Sequence, residues 1–530
     1  MGERLFVSGN EAIAYAAIDC GVNLGTGYPG TPSSEILDNF AALGGKAEWA
    51  PNEKVALEVA IGGAFAHGRT MTTMKHVGLN VAADPLFTIA YSGTPGGLVI
   101  ICADDPGMAS SQNEQDNRRY AISSGAIMLE PSDSQEAYDY LRRAFELSEE
   151  YRMPVIFRLT TRVCHSKTVL VRGDKRSGSA KAPGFEKDPK HNVMIPAYAR
   201  LAHRELRRKL NELQMRNDRD GEFIVEISGD KSLGIICNGI SFQHVRDAAP
   251  QAGVLKIGMS HPLPFKRMAE FAKGYDRCLV VEEGDPIMYE AARANNINVE
   301  GKNEMYRFGE LNVARVKRII AQDLTPETPA KPGKPPQLCP GCPHRKSYEG
   351  LKELNCIVSG DIGCYTLGVL PPFEAVDTCV CMGASIGAGL GMRQVLPESE
   401  ARRVVSVIGD STFLHTGING IIEMVYNRPA TGHVVLILDN STTAMTGMQE
   451  HAGTGRKLDH TPTENRVDLE KLLQGCGVDN IDVIDSTANY TGYVELLKKR
   501  LSSNDISVII VRRPCIIALA KAKSYQTSEK

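Results

Sequence analysis

The stretch RVVSVIGDSTFLHTGINGIIEMVYNRPATGHVVLILDNSTTAMTG, residues 403–447, decides the fold. An apolar, β-branched run, VVSVIG, delivers Gly409-Asp410-Ser411 at its C-terminal edge. A helical stretch follows, and a second apolar run, VVLILD, delivers Asp439-Asn440-Ser441-Thr442. Two such runs joined by a helix read as neighbouring strands of a parallel sheet, and in an open sheet of that kind ligands bind outside the strand ends. Asp410 offers a hard anionic oxygen, Asn440 a neutral amide oxygen, and a backbone carbonyl near Thr442 a third. Three protein oxygens and two from a diphosphate complete the octahedron that Mg²⁺ demands. Gly409 is expected to let the backbone come close to the phosphates. A lone Gly-Asp carries no such message, because turns are full of them. Its pairing with Asp-Asn after a second apolar strand does.

Outward from this stretch, short apolar runs alternate with helical patterns along the whole chain, which reads as α/β with parallel sheets. The expected divisions are residues 1–175, a linker with a basic helix over 176–227, a smaller doubly wound domain over 228–322, a Pro-rich linker over 323–336, and a last domain over 337–530. The first block holds strand-like GGLVIICAD and PVIFRLTTRV around helical EKVALEVAIGGAFAHG. The basic segment YARLAHRELRRKLNELQMRN reads as a helix with a solvated face. No short-period repeat is present, although the first and last blocks are long enough to share one fold.

The chain has 530 residues, too many for one hydrophobic core. With 42% hydrophobic residues, 23% charged residues and a net charge of −3, it is a globular composition that argues against nucleic acid or an anionic membrane as partner. MGERLFVSGNEAIAYAAIDCG lacks the basic-then-apolar layout of a signal peptide, and the longest apolar runs are strand-length. A cytoplasmic protein is expected. Its 13 cysteines are then buried thiols or cofactor ligands rather than a disulfide framework. Cys339 and Cys342, in QLCPGCPHRK, form a C-x-x-C turn that zinc, a reversible disulfide and an iron–sulfur cluster would all accept.

The Gly-Asp-Ser…Asp-Asn pattern resembles the motif that binds thiamin diphosphate (ThDP) with Mg²⁺. The segments GYPGTPSSEI, MKHVGLNVAADPL, SSQNEQDNRRYA, LCPGCPHR, DIGCYTLG, CMGASIGAGLGM, GDSTFLHTGINGI and DNSTTAMTG, spread over almost the entire chain, are similar to the 2-oxoacid:ferredoxin oxidoreductases. Within them the order resembles the large subunit of the indolepyruvate ferredoxin oxidoreductases. The resemblance implies a ThDP-binding fold: two ThDP-type doubly wound parallel-sheet domains, one for the pyrimidine and one for the diphosphate, plus a smaller transketolase-C-terminal-like domain. It implies oxidative decarboxylation of an aryl 2-oxoacid of the indolepyruvate or phenylpyruvate type, with coenzyme A taking the acyl group and electrons passing to ferredoxin or an iron–sulfur partner. It also implies a small β-type subunit and a dimer of heterodimers.

Residue by residue, the resemblance places Glu53 as the acid hydrogen-bonded to the aminopyrimidine, with Glu58 as the fallback. Alone, Glu53 reads as a carboxylate in a first helical turn, where the macrodipole favours acids. Cofactor contacts are implied for Gly363, Cys364, Gly383, Ala384, Ser385, Gly409, Asp410, Ser411, Asn440 and Thr442, with Asp410, Asn440 and Thr442 on Mg²⁺. Cys339, Cys342, Cys364 and Cys515 match the four positions that hold one [4Fe–4S] cluster in related oxidoreductases. The same four would suit tetrahedral zinc, which takes no electrons. A 2-oxoacid carboxylate wants a cation or hydroxyl pair, for which Thr31, Lys75, His76, Arg119 and Arg162 are candidates. His344 and His451 are candidates for phosphate or intermediate contacts. Cys20, Cys102, Cys237, Cys278, Cys379, Cys381 and Cys476 are expected in the core.

Two departures stand out. The family's large subunit usually ends in a ferredoxin module with two cysteine-rich motifs, whereas no cysteine follows Cys515 here. Electrons are therefore expected to leave through a separate carrier. Where the family tends to read Thr-Gly-His-Gln-Pro-His-Pro-Gly, this chain has TGMQEHAG, with Met448, Glu450 and Ala452 at the altered positions. The rival readings are a non-redox ThDP decarboxylase or carboligase with structural cysteines, and a non-catalytic subunit with a zinc site.

Overall fold

The apolar runs form two large parallel sheets, one in each of two compact units, Met1–Thr328 and Pro329–Lys530. The computed structural model describes residues 3–174, 182–327 and 337–521. Most of the Pro-rich linker, and residues 176–181 of the earlier linker, lie outside the described residues.

In the second unit the sheet runs Thr378–Cys379, Ile357–Gly360, Val404–Gly409, His433–Asp439, Ile506–Arg512, Asn480–Ile484, all parallel. Counted in chain order the strands lie 2-1-3-4-6-5. The central strands are buried on both faces, so each apolar run splits by period two. Val405, Val407, Leu436, Leu438 and Ile509 pack beneath Tyr348, Tyr493 and Leu497. Ile408, Val435, Ile437, Val508 and Ile510 pack against Ile386, Phe413, Ile421 and Met424 on the other face.

The first unit repeats this order. Its sheet runs Ala47–Trp49, Leu24–Gly27, Thr70–Lys75, Leu98–Asp104, Val155–Thr160, Ile127–Leu129, again 2-1-3-4-6-5 with all six parallel. A seventh strand, Met259–His261, pairs antiparallel with Ile127–Leu129. The two blocks, expected as two doubly wound domains of one type, therefore share one topology.

The same unit carries a smaller sheet, Cys278–Val281, Asp230–Cys237, Ala252–Ile257 and the antiparallel edge Ile224–Ile227. This sheet starts at Ile224, earlier than the boundary of 228 expected from sequence, because the short run Ile224–Ile227 joins it as an edge strand antiparallel to Ala252–Ile257, a non-local pairing. Met259–His261 departs from the block's middle to join the larger sheet, which no local pattern announces. The basic helix is Pro196–Asp220; Leu206, Leu210 and Leu213 are buried while Arg200, Arg204 and Arg207 face solvent, as the amphipathic pattern requires.

A buried ion network fastens the two sheets of the first unit. Arg118 pairs with Asp116 and with Glu282, and Glu282 also accepts the Met288 and Tyr289 amides at 2.9 Å. Arg158 pairs with Asp104 at 2.7 Å and with Glu130. Among the described residues no helix is long and apolar enough to cross a membrane.

Candidate active site

In a 2-1-3-4-6-5 sheet the chain leaves strand 1 toward one edge and later returns to the other side of it, so the crevice opens at the ends of strands 1 and 3. In the second unit those ends deliver Asp361 and Asp410. The neighbouring strand His433–Asp439 adds Asn440, and Ile506–Arg512 leads to Cys515. Gly409 stands opposite Leu438 in the ladder, which sets Asp410 beside Asp439 and Asn440.

Asp410 is buried; its Oδ2 accepts the Ser441 amide at 2.8 Å and faces His451 Nε2 at 3.2 Å. Burial pushes its carboxyl up, but the His451 charge and hydrogen bond outweigh that and hold it below the usual carboxylate range. Asp439 moves the other way: burial and the Asp410 charge raise it, although Arg512 donates to it at 2.7 Å. Asn440 faces His344 Nε2 through Nδ2 at 3.1 Å and accepts the Thr442 amide on Oδ1 at 3.2 Å. Burial holds the His344 ring down to about 4, so it is neutral and can accept from the Asn440 amide. Ser411 and Thr443 share a hydroxyl pair at 2.7 Å, and the Thr442 hydroxyl donates to the Gln449 carbonyl at 3.2 Å.

A carboxylate, an amide oxygen and a neighbouring carbonyl on adjacent strand ends are a donor set that fits Mg²⁺. His451 lies 3.2 Å from Asp410, and Arg512 pairs with Asp439 at 2.7 Å.

The four expected cysteines converge on the same strand ends. The Cys342 amide donates to the Cys339 carbonyl at 3.0 Å, with Gly341 in the left-handed region at φ +77°, and helix His344–Glu353 starts directly after this turn. Its first residue is the His344 that meets Asn440. The Cys515 amide donates to the Asn440 carbonyl at 2.9 Å. Tyr365, next to Cys364, meets the His344 ring edge-on at 6.0 Å. Burial, then the neighbouring Cys342, Cys515 and Cys339, push the Cys364 thiol up to about 11. Cys342 is likewise pushed up to about 11 by burial, Cys339 and Cys515. Among the described residues no group of three or more His, Cys, Asp or Glu stands in position to hold a metal ion.

At Gly409 a Cβ would stand 2.6 Å from the Tyr365 ring, so the glycine admits that ring. The Gly383 and Ser385 amides donate to Asp361 at 2.8 and 2.9 Å, and Asp361 thereby caps helix Ala384–Val395. Ala384 is the first residue of that helix. Gly363 lies at the start of the short helical turn Cys364–Val369, its amide donating to Thr366 at 3.0 Å. Cys379 and Cys381 are exposed, not core, because Thr378–Cys379 is a two-residue strand at the sheet edge. Cys20, Cys102, Cys237 and Cys278 are buried, and Cys476 is half-buried against the core. Asp361 and Tyr365 are residues of the site that the sequence reading does not single out, and Asp439, named there with the second strand end, is given no role of its own; a second Gly-Asp at a strand end, in SGDIGC, is the available signal for Asp361.

In the first unit the equivalent strand ends lead to the Gly30–Thr31 loop and to Lys75–His76, and the helix that begins at His76 packs against Glu53 through Gly78. A Cβ on Gly30 would stand 2.9 Å from Lys75 Cβ, and one on Gly78 would stand 2.6 Å from Glu53 Cγ and Oε1. Glu53 is the first residue of helix Glu53–Phe65, N-capped by Asn52, and is 4% exposed. Glu58 is exposed and paired with Lys54, which removes the reason to prefer it. Lys75 donates to the Ser110 carbonyl at 2.6 Å; His76 is fully buried, with Nε2 at 3.0 Å from the Asn113 carbonyl and Nδ1 without a hydrogen-bond partner. Arg119 and Arg162 do not join this group. They are half-exposed and pair with Asp285 at 2.9 Å and Glu310 at 2.7 Å, both beyond the larger sheet.

The chain matches two family models: "Pyruvate flavodoxin/ferredoxin oxidoreductase, thiamine diP-bdg" over residues 15–206, and "Thiamine pyrophosphate enzyme, C-terminal TPP binding domain" over residues 361–511. It is 40% identical to the indolepyruvate oxidoreductase subunit IorA of Archaeoglobus fulgidus, covering 98% of this chain and 88% of that protein. With the IorA subunit of Pyrococcus abyssi it shares 38% identity over 97% of this chain and 86% of that one. Among solved structures, the 2-oxoglutarate:ferredoxin oxidoreductase of Magnetococcus marinus aligns with a TM-score of 0.50 at 17% identity, over 61% of this chain and 65% of that chain, a likeness of fold. Strand ends, sequence and fold agree: the chain belongs to the IorA family of indolepyruvate oxidoreductase subunits, within the 2-oxoacid:ferredoxin oxidoreductases.

Proposed function

We propose that the chain is the ThDP-bearing subunit of an enzyme that oxidatively decarboxylates an aryl 2-oxoacid to its acyl-coenzyme A. The observation that carries this reading is the coupling of two sets of ligands through one residue. Asn440, a Mg²⁺-type ligand, takes the Cys515 amide on its carbonyl and meets, through its side chain, the His344 that follows the Cys339–Cys342 turn. A decarboxylase with merely structural cysteines has no use for that coupling; an enzyme that must drain electrons from its cofactor has.

Bound ThDP supplies a carbon nucleophile for the 2-oxo group and a sink for the electron pair that CO₂ leaves behind. Around it the residues divide the work. Glu53, buried at a helix start, would hold a proton toward the pyrimidine ring of the bound cofactor. Asp410 and Asn440, with a carbonyl near Thr442, would hold the Mg²⁺ that neutralises its diphosphate. Lys75, His76 and Thr31 offer a cation and donors to the 2-oxoacid carboxylate. Cys339, Cys342, Cys364 and Cys515 would hold one [4Fe–4S] cluster, which takes up electrons singly. A smaller partner subunit and a ferredoxin-type acceptor complete the enzyme.

The experiment is iron and sulfide analysis of the anaerobically purified complex, with electron paramagnetic resonance after adding indolepyruvate and coenzyme A. About four irons per chain and a substrate-dependent signal are expected. Iron-free protein that still releases CO₂ from indolepyruvate would establish the non-redox reading instead.

A further inference from the structure

A cavity of about 190 Å³ opens beside the Asn440–Thr442 loop within the second unit. Its walls are of two kinds. Met448, Pro514, Ala518 and Leu519 form an apolar side, while Glu450, Arg456, His460 and Lys521 are its polar groups. A cavity of about 150 Å³ is enough to take up a benzene ring, so this one suits a single or fused aryl ring. Anchored in the same wall as the Mg²⁺-type ligands, such a ring would lie next to the cofactor loop.

The polar groups are not arranged for an anion. The Arg456 guanidinium donates to the His460 carbonyl at 3.2 Å, and the Lys521 ammonium donates to the Gly447 carbonyl at 3.0 Å. Glu450, 16% exposed, adds a negative charge to the lining. Its Oε1 lies 3.4 Å from His460 Nδ1, a long contact, and a carboxylate has about four lone-pair positions in all. What the cavity offers an occupant is thus apolar surface, a polarisable thioether and one anionic acceptor. That combination recognises an aromatic ring carrying an N–H or O–H donor.

We infer that this cavity is the side-chain pocket for the aryl 2-oxoacid, and that Glu450 accepts the ring donor of indolyl or hydroxyphenyl substrates in preference to phenyl. The inference rests on the arylpyruvate reading above and names the residues that select among arylpyruvates. The test uses the intact complex with its partner subunit. Binding of indole-3-acetate and phenylacetate, unreactive acids with the two rings, is measured by calorimetry, and kcat/KM is measured for indolepyruvate and phenylpyruvate. Glu450→Ala should lower the indole-over-phenyl preference by about 10- to 100-fold in both measurements, with the phenyl values within about threefold of wild type. Glu450→Gln, which keeps an acceptor, should restore most of the preference. Leu519→Trp, which fills the cavity from its apolar side, should weaken both rings at least about tenfold. An unmoved preference in Glu450→Ala, undiminished binding in Leu519→Trp, or displacement of indole-3-acetate by adenosine 3′,5′-bisphosphate would overturn the inference while leaving the arylpyruvate reading intact. A wild-type complex that turns over neither arylpyruvate would overturn both.

Discussion

Gly78→Ala separates position from presence at the proposed acid. A Cβ at residue 78 would stand 2.6 Å from Glu53 Cγ and Oε1 and 2.9 Å from its carboxyl carbon. Ordinary carbon contacts lie at about 3.5–4.0 Å, so the carboxyl must retreat by about 1 Å. Gly78 sits inside helix His76–Val81, where alanine is the better helix former by about 1 kcal/mol. The clash reaches Glu53 Cγ as well as its carboxyl, and the side chain is buried, so overpacking of about 1–3 kcal/mol offsets the helix gain and Tm should stay level or fall slightly. Catalysis should lose far more. Misplacing a catalytic group by about 1 Å costs on the order of 10²-fold, whereas removing the proton partner costs about 10²–10⁴-fold. Gly78→Ala should therefore slow deuterium exchange at the ThDP C2 position by about 10²-fold, and Glu53→Gln by that much or more. Exchange is followed in the ThDP-loaded complex by acid quench and NMR. If Gly78→Ala exchanges within about twofold of wild type while Glu53→Gln is slow, the contact is packing and the geometric argument fails. If Glu53→Gln is itself fast, the acid lies elsewhere.

Asp410→Ala should abolish ThDP retention, read by calorimetry with Mg²⁺, because the diphosphate charge loses the anionic anchor of its metal; Asn440→Ala should act in the same direction but more weakly. Cys364→Ser should lower iron from about four per chain to near zero or to a three-iron species, and unchanged iron content would remove Cys364 from the ligand set. Arg158→Met should destabilise the first unit by about 3–5 kcal/mol, read by chemical denaturation, since it leaves Asp104 and Glu130 buried without their cation. His344 titrates at about 4 in the folded chain against an ordinary value of 6.5, so the unfolded chain binds the extra proton between those values. Its contribution to stability is complete above pH 6.5 and is lost as pH falls toward 4. Wild type should thus lose Tm more steeply than His344→Gln across that window, and parallel curves would show the ring is not buried neutral.

How much of this was legible beforehand differs residue by residue. Asp410 and Asn440 were readable because each ends an apolar run that only a buried parallel strand explains, and strand ends in such sheets are where ligands sit. Cys339 and Cys342 were readable as a pair because a C-x-x-C turn is local. Their link to Asn440 was not, since it runs through His344 and the Cys515 amide, three segments distant in sequence that meet only when the sheet is ordered. Asp361 was overlooked for the same reason: its role is to cap helix Ala384–Val395, a partner that sequence places a strand away.

The sequence by itself determined the α/β class, the two cofactor-type loops and the Cys339–Cys342 turn, because periodicity, turns and short motifs are written within a few residues; the candidate acid and the set of four cysteines are what the family resemblance implies. Only the tertiary structure decided between neighbours of equal appearance. It buried Glu53 and exposed Glu58, buried Lys75 and His76 while committing Arg119 and Arg162 to ion pairs, and brought Cys379 and Cys381 to the surface. It also showed that the two large sheets share the strand order 2-1-3-4-6-5. The physical reason is one throughout. Which strand lies beside which is set by non-local pairing and burial, and a side chain's environment, hence its charge state and its partners, follows from that order rather than from its neighbours along the chain.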